Sequence, residues 1–374
     1  KDAREYVERT NKQYDVVIIG VPEPSTVQLN RFYTEEFYSS LKKILTSAGV
    51  ISFNISGSLN YLSDETVRLY SSLMNTLKTS FDNVLIVPGN SNYFIASDNS
   101  LTFSFVERIE ELGLETKYVN KYYIQPDLIK QRGKRLMDQL TTQSEVNTDF
   151  KPVTYTLKIK QWLSHFRFNF WIPLVGLSLI GLYYLANLHP VNRGMFTAGF
   201  AGATMEIILL VSFQIFFGSV FQMVGIIITI FMAGLSFGAY FRHLFVKNLL
   251  VANYYKLQYM LAILILLIPF ILLFFKAFNL PNFVMQVSFG ILMFFVSAMV
   301  GLIFSMASNL RLTKPAVIAS EIYSVDLLGA ALGSFLVSVY LIPLIGLLNV
   351  CYMLAGLVGL QTLISSYQFK TVKI

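Results

Sequence analysis

The chain has 374 residues, of which 54% are hydrophobic, 15% aromatic and only 14% charged, and its formal net charge is +7. A soluble domain is typically about 25% charged and about 45–50% apolar, so this composition excludes an ordinary cytosolic enzyme and a disordered protein. The single cysteine, Cys351, excludes a disulfide scaffold. The length is sufficient for two domains, and the hydrophobicity indicates a membrane protein.

The charge is distributed unevenly, and Arg167 marks the change. Residues 1–167 hold 20 basic and 19 acidic residues, a net charge of +1, whereas residues 168–374 hold the other 9 of 29 basic and 3 of 22 acidic residues, a net charge of +6. Cations spread thinly over an apolar half do not form a nucleic-acid-binding surface. They fit loop charges that orient membrane helices. We therefore expect a near-neutral soluble domain, a membrane domain and no nucleic-acid partner.

The first part of the chain alternates strand and helix patterns. Residues 14–20 form a short β-branched run that ends in Gly20, which is typical of a buried parallel strand. Two prolines then predict a loop. Residues 32–45 carry apolar residues at helical spacing, and Gly49 is predicted to be the helix stop.

The same alternation continues toward residue 100. The pattern predicts a strand, a helix and two paired strands over residues 50–55, 66–77, 84–87 and 93–97. Such an order indicates an α/β fold, in which ligands bind at the carboxyl ends of the parallel strands. Here those ends are residues 20–24 and 54–58.

Several of these runs resemble the second half of a spermidine synthase (polyamine aminopropyltransferase) domain. They cover residues 2–4, 14–24, 29–38 and 49–53. The resemblance extends over roughly residues 1–125, and residues 14–38 are its most specific part. That family has a methyltransferase-like Rossmann fold and binds decarboxylated S-adenosylmethionine. The resemblance therefore implies a partial Rossmann domain and this or a related adenosyl ligand, without a metal.

The resemblance also implies where ligands would lie. Asp2 and Ala3 would lie where the family holds the adenine. Residues 20–24, beginning at Gly20, would lie over the aminopropyl donor and the amine acceptor, and Tyr33 would lie near the same pocket. A polyamine or another small molecule is the implied partner.

The sequence departs from the family's Asp-x-x-Asp-Pro pattern at this site. Gly20 stands where the first Asp, which assists deprotonation of the attacking amine, is expected, and Glu23 replaces the second. Asp15 lies on the preceding strand and does not substitute for either. Loss of a positioned base typically costs about 10²–10⁴-fold in rate, so a degenerate catalytic site is predicted, with Glu23 and Tyr33 as the candidates that remain. Glu23 either pairs with a cationic amine or is a plain loop carboxylate.

The family's glycine-rich first turn, which cradles the nucleotide, has no counterpart, because the chain begins after what would be the third strand. Half of a doubly wound sheet exposes the edge of its central strand and leaves the apolar residues 16–19 unpaired. We expect the first half to have been removed, rather than supplied by another chain. The predicted domains are residues 1–140 (C-terminal half of a synthase-like Rossmann domain), 141–167 (linker) and 168–374 (helical transmembrane domain).

Seven apolar stretches follow, each near the roughly 20 residues that span a bilayer. They cover about residues 169–188, 196–217, 219–241, 257–279, 283–305, 323–346 and 348–367. Near their ends lie aromatic residues typical of an interfacial belt, namely Trp162, Trp171, Tyr183, Tyr184, Tyr254, Tyr255 and Tyr323. The transporter-like membrane domain fused to some bacterial spermidine synthases is similar to residues 199–207, 217–219, 232–238, 321–333 and 341–346.

Three polar residues within these stretches are candidates for a functional site. Glu206 lies in the middle of one, with Gln214 two turns further along, and Asp326 lies near the start of another. A carboxylate in lipid needs a partner or neutral protonation, so these residues form either a transport or proton site or plain helix-to-helix hydrogen bonds and caps. The Gly-xxx-Gly runs at residues 234–238 and 329–333 predict close helix packing. No spacing of His, Cys and carboxylates indicates a metal site.

The loop cations leave two topologies open. If all seven stretches span, five Lys and Arg residues lie on the soluble domain's face and eight on the other, which favours an external soluble domain. If the first stretch is re-entrant, the split becomes 12 to 1 with the soluble domain inside. Because the family's adenosyl ligand is cytosolic, we expect an integral protein of a bacterial cytoplasmic membrane with its soluble domain on the cytoplasmic side.

Two functions remain open from the sequence. One is a membrane-bound aminopropyltransferase with a degenerate active site. The other is a transporter-like or scaffold membrane protein whose Rossmann domain binds a ligand or a partner subunit. A homo-oligomer or a larger membrane complex is an expected assembly for either.

Overall fold

A computed structural model describes residues 2–57, 62–164, 171–218, 221–246, 249–278, 280–310 and 315–372. The chain divides into two compact units, Lys1–Phe168 and Asn169–Ile374. The division falls one residue from the change in charge at Arg167, a position that itself lies outside the described residues.

A four-stranded mixed sheet forms the centre of the first unit. Its strands are β1 (Tyr14–Ile19), β2 (Leu45–Ser56), β3 (Asn83–Val87) and β4 (Ser91–Ser97). The order is β1-β2-β4-β3, with β1 and β2 parallel and the other two pairs antiparallel. The helices are α1 (Ala3–Arg9), α2 (Val27–Asn30), α3 (Glu35–Lys43), α4 (Asp64–Lys78), α5 (Phe105–Glu111), α6 (Pro126–Asp138) and α7 (Val153–Ser164). The predicted Rossmann-like arrangement of strands and helices is confirmed.

Helices α3 and α4 bury one face of the sheet. Phe53 and Phe94 stack on neighbouring strands with ring centroids 5.0 Å apart, and Tyr33, Tyr38 and Tyr70 pack against this pair. All five rings are at most 2% exposed. This aromatic cluster fills the space between the helices and the sheet and stabilises the carboxyl ends of β1 and β2.

The opposite face of the sheet is open among the described residues. Val16, Ile18 and Tyr93 point to it and are 59%, 75% and 49% exposed. Strand β1 lies at the edge of the sheet and pairs only with β2 in the described part of the chain. The outer edge of β1 is therefore unpaired among the described residues, as expected, although residues 16–19 all pair with β2. The expectation that β1 is buried is wrong.

Gly49 does not end a helix. Helix α3 ends at Lys43, and β2 already begins at Leu45, which is buried and pairs with Tyr14. The register then shifts, so that the next pair is Val16 with Val50. The extra residues of β2 form a bulge that contains Gly49, a common place for glycine in a strand.

Residues 141–164, which were predicted to be a linker, pack against the first unit. The Asn147 side chain donates to the Tyr33 carbonyl at 2.8 Å, and Thr154 Oγ1 donates to Asn30 Oδ1 at 2.6 Å. Asn147 and Thr154 are fully buried. Polar residues of this segment thus supply side-chain hydrogen bonds to the rest of the first unit.

The second unit is helical. Its helices are α8 (Trp171–Asn187), α9 (Pro190–Phe217), α10 (Phe221–Tyr240), α11 (Arg242–Phe245), α12 (Val251–Ala277), α13 (Asn282–Leu310), α14 (Pro315–Leu336), α15 (Ile342–Ile345) and α16 (Leu347–Val372). A π-helical turn, Val337–Leu341, joins α14 to α15. Among the described residues, six helical segments are long and apolar enough to cross a membrane. The first predicted stretch, 169–188, corresponds to α8, a shorter apolar helix of 17 residues.

Glycines bring the membrane helices into backbone contact. On α14, a Cβ at Gly329 would collide with the Phe196 carbonyl, and one at Gly333 would lie 2.6 Å from the Phe200 carbonyl oxygen. On α10, a Cβ at Gly238 would collide with the Ala298 carbonyl of α13. The prediction that both Gly-xxx-Gly runs serve close packing is confirmed.

Candidate functional site

The candidate site lies where the parallel strands β1 and β2 end. Gly20 follows β1 directly, and the loop that it begins contains Glu23. A Cβ built at Gly20 would meet no atom within 4 Å. The absence of an acid or base at this position is therefore a property of the residue and does not result from a lack of space. Of the predicted end of β2, only Ser58 lies outside the described residues.

Glu23 connects the two strand ends through both of its carboxylate oxygens. One oxygen accepts a hydrogen bond from the backbone N–H of Ser56, the last residue of β2, and the other pairs with the Lys158 ammonium of α7. Burial by itself would raise the pKa of Glu23, but the hydrogen bonds from Lys158 and Ser56 outweigh it and lower the pKa below its ordinary value. Glu23 is thus an ionised carboxylate that already holds a cation.

Two buried tyrosines frame this carboxylate. The Tyr33 hydroxyl lies 3.2 Å from the Val21 carbonyl oxygen and 3.1 Å from that of Pro22, both on the loop. The Tyr70 hydroxyl donates to the Ser56 carbonyl at 2.9 Å and accepts from the Asn92 side chain at 2.8 Å. Burial and the charge of Glu23 raise the pKa of Tyr33, and burial raises the pKa of Tyr70 to about 12. Neither hydroxyl is a base at neutral pH.

Asp2 is engaged in the structure of the domain. Its carboxylate caps α1 by accepting from the N–H groups of Arg4 and Glu5 at 3.0 and 3.2 Å. It also pairs with Arg31 at 2.6 Å, a guanidinium that is 2% exposed. Ala3, the first residue of α1, is exposed. The assignment of Asp2 and Ala3 to an adenine site stays a prediction.

A buried network centred on Asp149 has no counterpart in the sequence analysis. Arg4 binds both oxygens of Asp149 at 2.7 Å, and Thr34 Oγ1 donates to the same carboxylate at 2.9 Å. The Asp149 N–H donates to Glu36 at 3.1 Å. Arg4 and Asp149 are 145 residues apart, so no local pattern could have paired them.

The three polar residues predicted within membrane stretches lie apart from a cavity in the second unit. Glu206 and Gln214 are half-buried on α9, and Asp326 is half-buried on α14. Among the described residues, Asp326 Oδ1 is buried without a hydrogen bond and lies against Gly199 of α9. A cavity of about 510 Å³ is lined elsewhere, by residues that include Phe237, Phe245, Lys256, Phe294 and Met299.

The described part of the chain contains no candidate metal site. No three His, Cys, Asp or Glu side chains converge there in a way that could hold an ion. His165, which the sequence places beside the first apolar stretch, lies outside the described residues.

Comparison with known proteins identifies the family that the first unit is similar to. Residues 1–91 match the spermine/spermidine synthase domain. A polyamine aminopropyltransferase of Oceanobacillus iheyensis is 27% identical over 109 residues, which are 28% of this chain and 21% of that protein. One of Korarchaeum cryptofilum is 33% identical over 78 residues, 21% of this chain and 23% of that protein. The chain thus spans about a fifth of the length of the curated relatives it matches. The resemblance predicted from residues 14–38 is confirmed.

Proposed function

We propose that this chain is a membrane-bound spermidine synthase-like protein whose Rossmann-type domain binds an adenosyl ligand and an amine but is a poor aminopropyltransferase. The ligand class is decarboxylated S-adenosylmethionine or a related sulfonium. The match of residues 1–91 to the synthase domain supports the ligand class. The observation that carries the proposal is Gly20, which provides no acid or base at the end of β1 although the space for one is present.

The chemistry explains why this position matters. An alkyl amine is protonated at neutral pH, and it must lose a proton before its nitrogen can attack the carbon next to a sulfonium. A carboxylate at the strand end is a suitable acceptor for that proton. Glu23 is poorly suited to replace it, because its oxygens already hold the Ser56 N–H and the Lys158 ammonium. Binding without efficient transfer is the expected result.

The test compares ligand binding with catalytic turnover in the full-length protein, purified in detergent. Isothermal titration with decarboxylated S-adenosylmethionine and with putrescine should show binding. Turnover to spermidine should be near background in the wild type and should rise by about 10²-fold or more in Gly20→Asp, because a positioned base is worth about that much. Gly20→Asn is the matched control, since it has the same shape without a base.

Two results would overturn the proposal. Absence of binding of the adenosyl ligand would remove the ligand class. Wild-type turnover equal to that of Gly20→Asp would show that another group acts as the base.

A second candidate is a transport-like or scaffold role of the membrane unit. The buried Asp326 Oδ1, which has no hydrogen bond among the described residues, favours this candidate, because an unpaired carboxylate oxygen between helices is costly and such groups mark ion or proton pathways. Glu206→Gln and Asp326→Asn should then abolish polyamine or proton flux in proteoliposomes. Unchanged flux in both would refute transport, and a stable co-purifying subunit would instead support a scaffold in a larger complex or a homo-oligomer.

We propose that the soluble unit lies on the cytoplasmic side of the membrane, and the proposal depends on whether α8 crosses. If the six long helices cross and α8 does not, the loops on one side carry Lys276 alone, and the other side carries 12 Lys and Arg residues together with the soluble unit. The positive-inside rule then places the soluble unit in the cytoplasm, where the adenosyl ligand of the family occurs. Reporter fusions at residues 150 and 190 should both report the cytoplasmic side. Opposite sides would show that α8 crosses.

A further inference from the structure

Lys158 provides an ammonium group to the one carboxylate of the candidate site. It projects from α7 and pairs with Glu23, and it also donates to Gln161 Oε1 at 2.9 Å. Gln161 in turn donates to Thr66 Oγ1 at 2.7 Å, at the first turn of α4. The ammonium is therefore held by groups from the β1 loop and from α7, and its helix is anchored to α4.

The pair differs from the other lysine ion pairs of the first unit. Lys158 and Glu23 side chains are only 21% and 20% exposed. The side chains of the pairs Lys42–Asp98, Lys121–Glu110 and Lys151–Glu145 are between 38% and 63% exposed. Exposed pairs of that kind contribute little because water screens them, whereas a sheltered carboxylate left without its cation is strongly disfavoured. Glu23 thus needs a cation, and Lys158 supplies one.

A free polyamine presents the same chemical group as a lysine side chain, a primary ammonium at the end of an alkyl chain. Glu23 carries one negative charge, which the Lys158 ammonium already balances. A free amine and Lys158 must therefore compete for it. The flexible lysine chain can turn outward without moving α7, whose position is fixed by the Thr154–Asn30 hydrogen bond.

We infer that Lys158 is a tethered cation that occupies the amine-binding carboxylate Glu23 and so determines the affinity of the site for free amines. The inference rests on the proposed amine-binding function. When only a fraction of the molecules is in the binding-competent state, the apparent affinity equals the intrinsic affinity multiplied by that fraction. A lysine that holds Glu23 about nine-tenths of the time would weaken amine binding about tenfold.

The experiment measures putrescine and decarboxylated S-adenosylmethionine binding separately, by titration of the detergent-purified product of the complete reading frame. Lys158→Met should bind putrescine about tenfold more tightly than the wild type, with the affinity for the adenosyl ligand unchanged. Lys158→Arg, which keeps the cation, should show no gain. Lys160→Met is the matched control, because Lys160 lies on the same helix and forms none of the described ion pairs.

Glu23→Gln identifies the group that receives the amine. In the Lys158→Met background it should abolish the gain in putrescine affinity. A gain that persists in the double variant, or a Lys158→Met variant that binds the adenosyl ligand but shows wild-type putrescine affinity, would overturn the inference alone. If no variant, including the wild type, binds either ligand, the proposed function fails and the inference fails with it.

Discussion

The Asp149 network allows a direct test of whether residues 141–164 are part of the first unit. The perturbation is Asp149→Asn, which keeps the shape of the side chain but removes its charge and one hydrogen-bond acceptor. Arg4 would lose one of its two 2.7 Å contacts in a site where both side chains are less than a tenth exposed. A linker would tolerate the change, whereas an integral segment would not.

The expected magnitude follows from the burial of the pair. Breaking a buried ion pair by neutralising one partner typically costs about 3–5 kcal/mol, because the other charge stays buried without compensation. Arg4 retains Glu8 at 3.0 Å, a half-exposed partner that compensates in part. We therefore expect about 3 kcal/mol, which is about a 10²-fold change in the opening equilibrium at 1.36 kcal/mol per factor of ten.

Hydrogen exchange measured by mass spectrometry on the full chain in detergent is the appropriate assay, because a two-unit membrane protein has no single free energy of unfolding. Amides of α1 and α7 should exchange about 10²-fold faster in Asp149→Asn. Lys151→Gln is the matched control, since it removes an exposed ion pair two residues away and should change exchange by less than about fivefold. Wild-type protection of α7 in Asp149→Asn would refute the reasoning.

Three further predictions concern the loop and the membrane helices. Because the folded-state pKa of Glu23 is lowered, its contribution to stability is complete above its unfolded value, near 4.5, and is lost as the pH falls through the lower folded value; acid titration of stability should therefore be less steep below pH 4.5 in Glu23→Gln. Tyr33→Phe should lower the free energy of unfolding of the first unit, followed in urea, by about 1 kcal/mol, because it removes the hydroxyl contact with the loop carbonyls. Gly329→Leu should lower the thermal stability in detergent by the equivalent of about 1–3 kcal/mol, because the side chain would meet the backbone of α9, whereas Gly356→Leu, with open space, should not. Equal melting temperatures for the two glycine variants would contradict the packing of α9 against α14.

The sequence was most informative for elements that a local pattern of apolar residues determines. The β-branched run of residues 14–20 predicted the strand β1, and the apolar residues at helical spacing over residues 32–45 predicted the helix that became α3. The membrane helices were predicted from their length and apolar composition, since a bilayer requires long apolar segments. The alternation of strands and helices placed residues 20–24 at a ligand-binding strand end, and the family pattern then singled out Gly20 and Glu23.

The features that were missed depend on contacts between distant residues. Gly49 is a plausible helix stop by composition, and only the pairing of Leu45 with Tyr14 turns the preceding residues into strand. The contact between Lys158 and Glu23 joins residues near opposite ends of the first unit's sequence. A polar segment interrupted by a proline is usually a linker, and the burial of Asn147 becomes visible only when α3 and α4 are in place.

Gly20 and the pairing of Lys158 with Glu23 both weaken the recognition of a cationic amine. A site with two carboxylates would present a charge of −2 to a cationic amine, whereas Gly20 contributes none and Lys158 neutralises Glu23. Each unit charge at about 4 Å is worth roughly 1–4 kcal/mol at effective dielectric constants between those of water and a protein surface. Gly20→Asp restores a base but leaves Lys158 in competition with the amine, and Lys158→Met frees Glu23 but restores no base. The double variant should therefore gain spermidine formation at sub-saturating putrescine by about the product of the two single gains. A gain no larger than that of Gly20→Asp alone would mean that Lys158 does not compete with the reacting amine.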